Sequence, residues 1–473
     1  MEQIKQTLRE STTARWFALI LISLTMFFAY FFVDVASPIK NMFEINYRWS
    51  SEVFGFYGGS EFFFNVFFGF LILSGIILDK MGIRFTILTS GILMVLGASV
   101  KLYALRAIDP SADISVFGYT LPSTAALCFV GFAIFGVGVE MAGISVSKTI
   151  VKWFKGKEMA LAMGLEMAVA RLGVFAVMWL SPLFANSKAN DPQLWTPSDS
   201  IMWGVVFLTI GLLLFFVYTL MDSKLDKQEG VDNVAGGEEE FKLSDIGKIF
   251  TNPGFLAIAG LCVLFYSAIF PFQRFATEML STKLGVDVTA AARYVSVFPI
   301  GAMILTPFIG FFLDLKGKGA SMMVLGAILL TVSHLVFALV PAASFTPFIA
   351  ITTIVVLGIA FSLVPASMWP SLPKIVEDRY LGSAYGCIFF IQNIGLMLVP
   401  GLIGYALTAA NPEVAASLTQ GITTAADGTP LVYDYTVPEL IFAAFGVLAF
   451  FLAFVLKSVD KKRGYGLDIP NKK

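Results

Sequence analysis

KWFKGKEMALAMGLEMAVARLG, Lys152 to Gly173, returns 222 residues later as KIVEDRYLGSAYGCIFFIQNIG, Lys374 to Gly395. Lys152 matches Lys374, Gly164 matches Gly386 and Gly173 matches Gly395; extended backwards, Gly136 matches Gly358. Each copy leaves one apolar run, crosses a basic connection and enters another. A second echo lies nearer the start of each half: GIILDKMGIR (Gly75 to Arg84) and GFFLDLKGKG (Gly310 to Gly319) share Gly-x-x-x-Asp followed by basic residues and Gly. Two motifs recurring in the same order predict a chain built twice.

What is built twice follows from composition. Of 473 residues, 57% are hydrophobic and 14% charged, and the mean hydropathy is +0.81, which excludes a soluble globular chain. A membrane span needs about 20 mainly apolar residues. Twelve such runs are expected, at 15–35, 53–78, 84–105, 120–147, 158–182, 200–221, 254–277, 291–313, 320–341, 346–370, 380–408 and 437–457. The first run lacks a small-residue cleavage site and is read as a retained span. Cys128, Cys262 and Cys387 all fall inside spans, so no disulfide framework is expected. The expected fold is an all-α membrane protein of twelve transmembrane helices in two pseudo-symmetric six-helix bundles, 1–221 and 253–473, joined by a cytoplasmic linker at 222–252. Glu238 to Glu240 in that linker read as a solvated stretch. Lys and Arg concentrate at the N-terminus, in alternate loops and in the C-terminal tail, which predicts cytoplasmic termini. The net charge of −1 gives no reason to expect a nucleic-acid partner.

Charged residues inside spans are the functional candidates. They are Asp34 in span 1, Glu61 in span 2, Glu140 in span 4, Glu166 and Arg171 in span 5, and Arg274 in span 7. An Arg at a helix centre costs roughly 2.5–3.5 kcal/mol on insertion scales, so Arg171 needs a buried partner, a watery cavity or a ligand. In the repeat, Arg171 corresponds to Asn393 and Glu140 to Ser362, so the charged pair belongs to one half and its counterparts are neutral and polar. That suits a ligand carrying both charges; an internal ion pair locking spans 4 and 5 is the structural alternative. Glu166, about 140° around the helix from Arg171, is expected to face a neighbouring helix. His334, the one histidine, reads as a hydrogen-bonded interior residue. Tyr266 and Gln273 in span 7, Trp369 in span 10, and Gln392 and Asn393 in span 11 are candidates for the remaining wall, with Tyr30 in span 1. Asp79, Lys80, Arg84 and Asp314, in the repeated loop motif, are candidate gating residues that latch the cytoplasmic side.

Twelve spans in two parallel halves, a long central loop and this loop motif resemble the major facilitator superfamily, over nearly the whole chain. Within it, WFKGKEMALAMGLEMAVARLG, YFFVD (Tyr30 to Asp34), GVGVEM around Glu140, FPF (Phe270 to Phe272) and AYG…IQNIG (Ala384 to Gly395) are similar to the lysosomal dipeptide uniporters. The resemblance implies a mid-membrane site between halves that rock against each other, with Glu140 and Arg171 at the positions that bind a peptide's amino and carboxylate ends. It implies facilitated diffusion of dipeptides or similar small zwitterionic peptides by a monomer in the lipid bilayer, with no cofactor, no metal and no assigned accessory subunit. A proton-coupled porter for organic anions is the alternative. The tail MEQIKQTLRE has no dileucine sorting signal, so a bacterial inner membrane is the expected location. No HExxH, GxSxG or GxGD motif occurs, which argues against an intramembrane enzyme.

Overall fold

The computed structural model describes residues 7–116, 118–154, 156–189, 191–229 and 247–470. The chain is helical almost throughout. Contacts divide it into two units: Met1–Ala36, Ser60–Ala185 and Thr196–Gly237 form one, and Ser37–Gly59, Asn186–Trp195 and Glu238–Lys473 form the other. Two segments of the first sequence half, 37–59 and 186–195, therefore pack with the second unit. The expected linker at 222–252 is described only at its ends, because its first helix runs on to Glu229 and 230–246, with Glu238 to Glu240, lie outside the described residues.

The first unit contains α1 (Thr12–Val33), α4 (Phe63–Phe68), α5 (Phe70–Ala107), α6 (Ser123–Phe154), α7 (Met159–Phe184) and α8 (Pro197–Glu229). α1 packs on α7 and α8, and α5 on α6 and α8. The second contains α2 (Lys40–Tyr47), α3 (Ser51–Gly59), α9 (Pro253–Leu284), α10 (Val288–Val295), α11 (Val297–Lys316), α12 (Gly319–Leu339), α13 (Pro347–Met368), α14 (Leu372–Ile375), α15 (Leu381–Ala410), α16 (Pro412–Leu418) and α17 (Thr436–Arg463). There α9 and α12 pack on α17, α13 on α11 and α12, and α15 on α3 and α9.

Among the described residues, eleven helical stretches are long and apolar enough to cross a bilayer. The expected span at 53–78 is not one continuous helix. It is assembled from α3, a 3-10 turn at Ser60–Phe62, α4, a left-handed Gly69 and the start of α5. The run called α5 is itself two helices, divided at Gly82 (φ 79°, ψ 169°). Counted this way the chain has the passes of a twelve-span fold. Residues 120–122, expected in span 4, belong instead to an exposed hairpin that pairs Asp113–Val116 with Tyr119–Pro122; α6 begins at Ser123.

The repeat explains its own glycines. Gly82 and Gly317, the last shared Gly of the loop motif, take φ of 79° and 71°, a region nearly closed to side chains with a Cβ. Gly173 sits where α7 crosses α1, and a Cβ there would fall 2.3 Å from Phe27 O. Its match Gly395 sits where α15 crosses α9, where a Cβ would fall 2.3 Å from Ser267 Oγ. Span 5 on span 1 and span 11 on span 7 are the same relation in the two halves. Such small residues let apolar helices approach where lipid offers no competing hydrophobic gain.

The tail after α17 is part of the second unit. Leu467 O accepts from Gly319 N, and Asp468 O accepts from Lys318 N, both at 3.0 Å. Asp468 Oδ1 accepts from Ser321 N at 3.0 Å, capping the free first turn of α12.

Candidate functional site

In the first unit three helices converge on Tyr30. It lies on α1, half-buried, with the Arg171 guanidinium carbon of α7 6.0 Å from its ring centroid. Glu140 of α6, Glu166 of α7 and Glu61 of the 3-10 turn are also close enough to act on its hydroxyl electrostatically. Glu140, Glu166 and Arg171 are all half-buried, whereas Glu61 is 5% exposed. The charge acting on Glu140 is that of Glu61, and the charge acting on Glu166 is that of Arg171. Glu166 thus lies within reach of the Arg171 charge on the same helix. Glu61 is held by backbone packing. Its carbonyl oxygen occupies the place of a Cβ on Gly136, one turn before Glu140. Asp34 is buried at the C-cap of α1. The arrangement gathers anionic and cationic groups within a single unit.

In the second unit the aromatic candidates are connected to one another. Trp369 Nε1 donates to Tyr266 OH at 3.1 Å, and Tyr385 OH donates to Trp369 O at 3.2 Å. Trp369 stacks on Phe389 at 4.9 Å, and Tyr266 on Phe270 at 5.6 Å. Gln392 Oε1 accepts from Cys262 Sγ at 3.4 Å. Gln273 and Asn393 are buried. Ser362, the counterpart of Glu140, is wholly buried and donates to Gly358 O at 2.9 Å, so its hydroxyl is committed to its own helix. Arg274 is buried with its stem against Gly58.

Two of the loop-motif residues, Asp79 and Arg84, have ion-pair partners within the first unit. Asp79 pairs with Lys148 of α6 at 2.5 Å and Arg84 with Asp226 of α8 at 3.3 Å. Lys80 is exposed, and Asp314 is half-buried. Beside them Asp222, 1% exposed, accepts from Lys152 Nζ at 2.7 Å, Trp153 Nε1 at 3.1 Å and Tyr218 OH at 3.1 Å.

Sequence reading missed several buried charges. Lys101 Nζ lies 4.2 Å and 4.3 Å from the ring centroids of Phe32 and Phe132. His334 is interior as expected, but its partner Glu439, 2.8 Å from Nδ1, was not anticipated. Lys40, Glu44 and Glu278 gather at a third place. Lys101 and Glu439 fall inside the expected spans, so listing every charge within them was a sufficient signal for both. The Lys40 to Glu44 spacing of one helical turn was the signal for the third.

The sequence model of the Major Facilitator Superfamily matches residues 22–278 and 274–468. The chain belongs to the Major Facilitator Superfamily. Among relatives of known function, it is 29% identical over 286 residues to the lysosomal dipeptide transporter MFSD1 of Bos taurus, matching 59% of this chain and 58% of that protein. The MFSD1 of Pongo abelii is 27% identical over 405 residues, 83% of this chain and 80% of that one. With the Bos taurus relative and others of its kind, the match thus spans under two thirds of the relative's length. Two solved structures share the superfamily fold. The nucleoside transporter NupG has a TM-score of 0.66 at 15% identity, covering 94% of this chain and 99% of its own. A bacterial homologue of the human lysosomal transporter Spinster, inward-facing and occupied, has a TM-score of 0.67 at 14% identity, covering 96% and 98%. This superfamily member is a multi-pass membrane protein, and both its family and its relatives are transporters.

Proposed function

We propose that the chain is a secondary transporter of dipeptides or similar small zwitterionic peptides, working by alternating access of its two six-span halves without obligatory ion coupling. The observation that carries the reading is the convergence of Glu140, Glu166 and Arg171 on Tyr30 in one unit. The lysosomal dipeptide transporter relatives support the substrate class. Arg171 holds the peptide carboxylate, because a guanidinium stays charged and grips it through two parallel hydrogen bonds. Glu140 holds the ammonium. Tyr30 and Asp34 complete that side, and Tyr266, Gln273, Trp369, Gln392 and Asn393 act on the substrate from the second half. Asp79, Lys80, Arg84 and Asp314 govern the cytoplasmic gate. The protein sits in a bacterial inner membrane with both termini cytoplasmic, as the loop charges suggest.

Uptake of labelled dipeptide into proteoliposomes tests the reading. Free dipeptide competes, and amidated or N-acetylated dipeptides do not. Equal competition by both blocked forms overturns the two-ended grip. A proton-coupled porter of organic anions is the second reading, favoured by Glu61 lying within electrostatic reach of Glu140, since neighbouring carboxylates favour uptake of a proton. Uptake of a simple carboxylate that collapses with the pH gradient would select it.

A further inference from the structure

Ser37–Gly59 enters the second unit through one buried group of ionisable side chains. Lys40 Nζ donates to Glu44 Oε2 at 3.2 Å and to Glu278 Oε2 of α9 at 2.7 Å. Tyr433 OH donates to Glu44 Oε1, and Tyr435 OH to Glu278 Oε2. The Lys40 ammonium lies 5.0 Å from the Tyr433 ring centroid and 5.9 Å from that of Phe275. Four of the five residues are at most 4% exposed and Glu278 is 8% exposed. The charges acting most strongly on Lys40 are Glu278 and Glu44, and those on Glu44 are Lys40 and Glu278. Other ionisable groups lie on the surrounding elements. Arg274, one turn before Glu278, packs on Gly58. Asp434 accepts from Thr436, and Lys283 donates to Val340 O and is acted on by Glu439 and Asp434. Glu439 lies against His334, and Arg48 is exposed at the end of α2. Glu52, on α3, is half-buried, and Asp287 is taken up in capping α10.

Two carboxylates share one ammonium here. With both ionised, the group buries an uncompensated negative charge, and proteins relieve that cost by binding a proton. The two phenols cannot supply it by titrating. Burial, followed by the neighbouring carboxylates, raises their pKa, so they remain protonated donors.

The seam behind the cluster is a close glycine contact. A Cβ on Gly55 would fall 2.1 Å from Pro400 O, one on Gly59 1.9 Å from Met397 O, and one on Gly404 2.1 Å from Ser51 O. α3 thus lies backbone to backbone on α15, with no side chains interlocked at those points. Phe54 meets Phe275 beside the cluster, at 6.0 Å between centroids.

We propose that Lys40, Glu44, Glu278, Tyr433 and Tyr435 form a proton-binding site that takes up one proton when Ser37–Gly59 docks, and releases it when the segment lifts. The docked state binds more protons than the lifted one, so acid favours docking and alkali favours release. This reading is independent of what the protein carries. It makes the opening of one gate pH-dependent whether or not the transported solute is a dipeptide.

Hydrogen–deuterium exchange of residues 37–59 tests it, using the full chain in lipid nanodiscs from about pH 5 to pH 9 and correcting for the intrinsic exchange rate. In the wild type, protection of 37–59 falls by up to tenfold per pH unit above the midpoint, while α6 keeps its protection unchanged. Glu44→Gln removes the surplus charge, so it stays protected and loses the pH dependence; Glu278→Gln does the same through the other carboxylate. Tyr433→Phe removes one donor but no charge, and keeps the pH dependence with a moved midpoint. Protection of wild-type 37–59 that is flat with pH, or a pH dependence retained in full by both Gln variants, overturns the proposal.

Discussion

Gly136→Ala tests how the acidic side of the candidate site is held. A Cβ on Gly136 falls 1.8 Å from Glu61 O and 2.7 Å from its carbonyl carbon. Real Cβ contacts essentially never come within 3.0 Å, so α6 and the Ser60–Phe62 turn must part by about 1.2 Å. Ala gains about 1 kcal/mol over Gly in a helix interior. Overpacking costs about 1–3 kcal/mol, and backbone pressed on backbone belongs at the upper end. The clash wins, for a net loss of about 2 kcal/mol. The same movement draws Glu61 away from Glu140, and misplacements of that size cost up to about a hundredfold where geometry matters. Gly358, the matched glycine of the second half, provides the contrast. A Cβ there meets Phe298 O at 3.8 Å, an ordinary contact. Gly358→Ala should therefore be neutral or slightly stabilising. Thermal unfolding in detergent and dipeptide uptake in proteoliposomes read both variants. If Gly136→Ala unfolds at or above the wild-type temperature and transports normally, the Glu61 packing does not position the site.

Arg171→Lys keeps the charge but loses the fork, and should lower dipeptide uptake at least about tenfold, with Arg171→Ala lower still; equal uptake by the Lys variant removes the two-bond grip. Asp222→Ala should cost about 3 kcal/mol in unfolding experiments, the lower end for a broken buried pair, because Lys152 is partly exposed and retains Asp226 at 2.7 Å. His334→Leu leaves Glu439 without its partner and should destabilise by about 3–5 kcal/mol, while the double variant with Glu439→Leu should recover most of that loss; additive losses would show that the two do not act as a pair. A cysteine placed in the 408–436 loop should be labelled from outside intact cells, and labelling only after permeabilisation would reverse the proposed orientation.

The span pattern and the repeat were legible because both are local. Apolar runs and recurring glycines need only neighbouring residues, and the positive φ at Gly82 and Gly317 gives the motif its physical reason. Span 2 was misread as continuous because its interruptions at Ser60–Phe62 and Gly69 lie inside an unbroken apolar run, where hydropathy is blind to backbone geometry. The Tyr30 neighbourhood was foreseen in its members but not in its pairings. Angular spacing on one helix gave Glu166 a neighbouring helix to face, and could not say that the Arg171 charge also acts on it. The Lys40 cluster was invisible for another reason. Lys40 and Glu278 are 238 residues apart, and Glu44 and Tyr433 are 389 apart. Each sits at or beyond the edge of a span, where a charge reads as an ordinary loop residue until the fold buries it.

The tail beyond α17 sets a rule for anyone who wishes to attach something to this protein. Leu467 and Asp468 occupy the first-turn amides of α12, and Asp468 also lies 3.6 Å from Lys457. A fluorescent reporter or affinity handle spliced on at Gly464 would strip that helix of its acceptors and leave its first-turn amides unpaired. Joined beyond residue 470, the same handle leaves these contacts in place. A library of shortened fusions should therefore show a sharp drop in membrane yield once the junction moves upstream of Leu467, well before any span is touched.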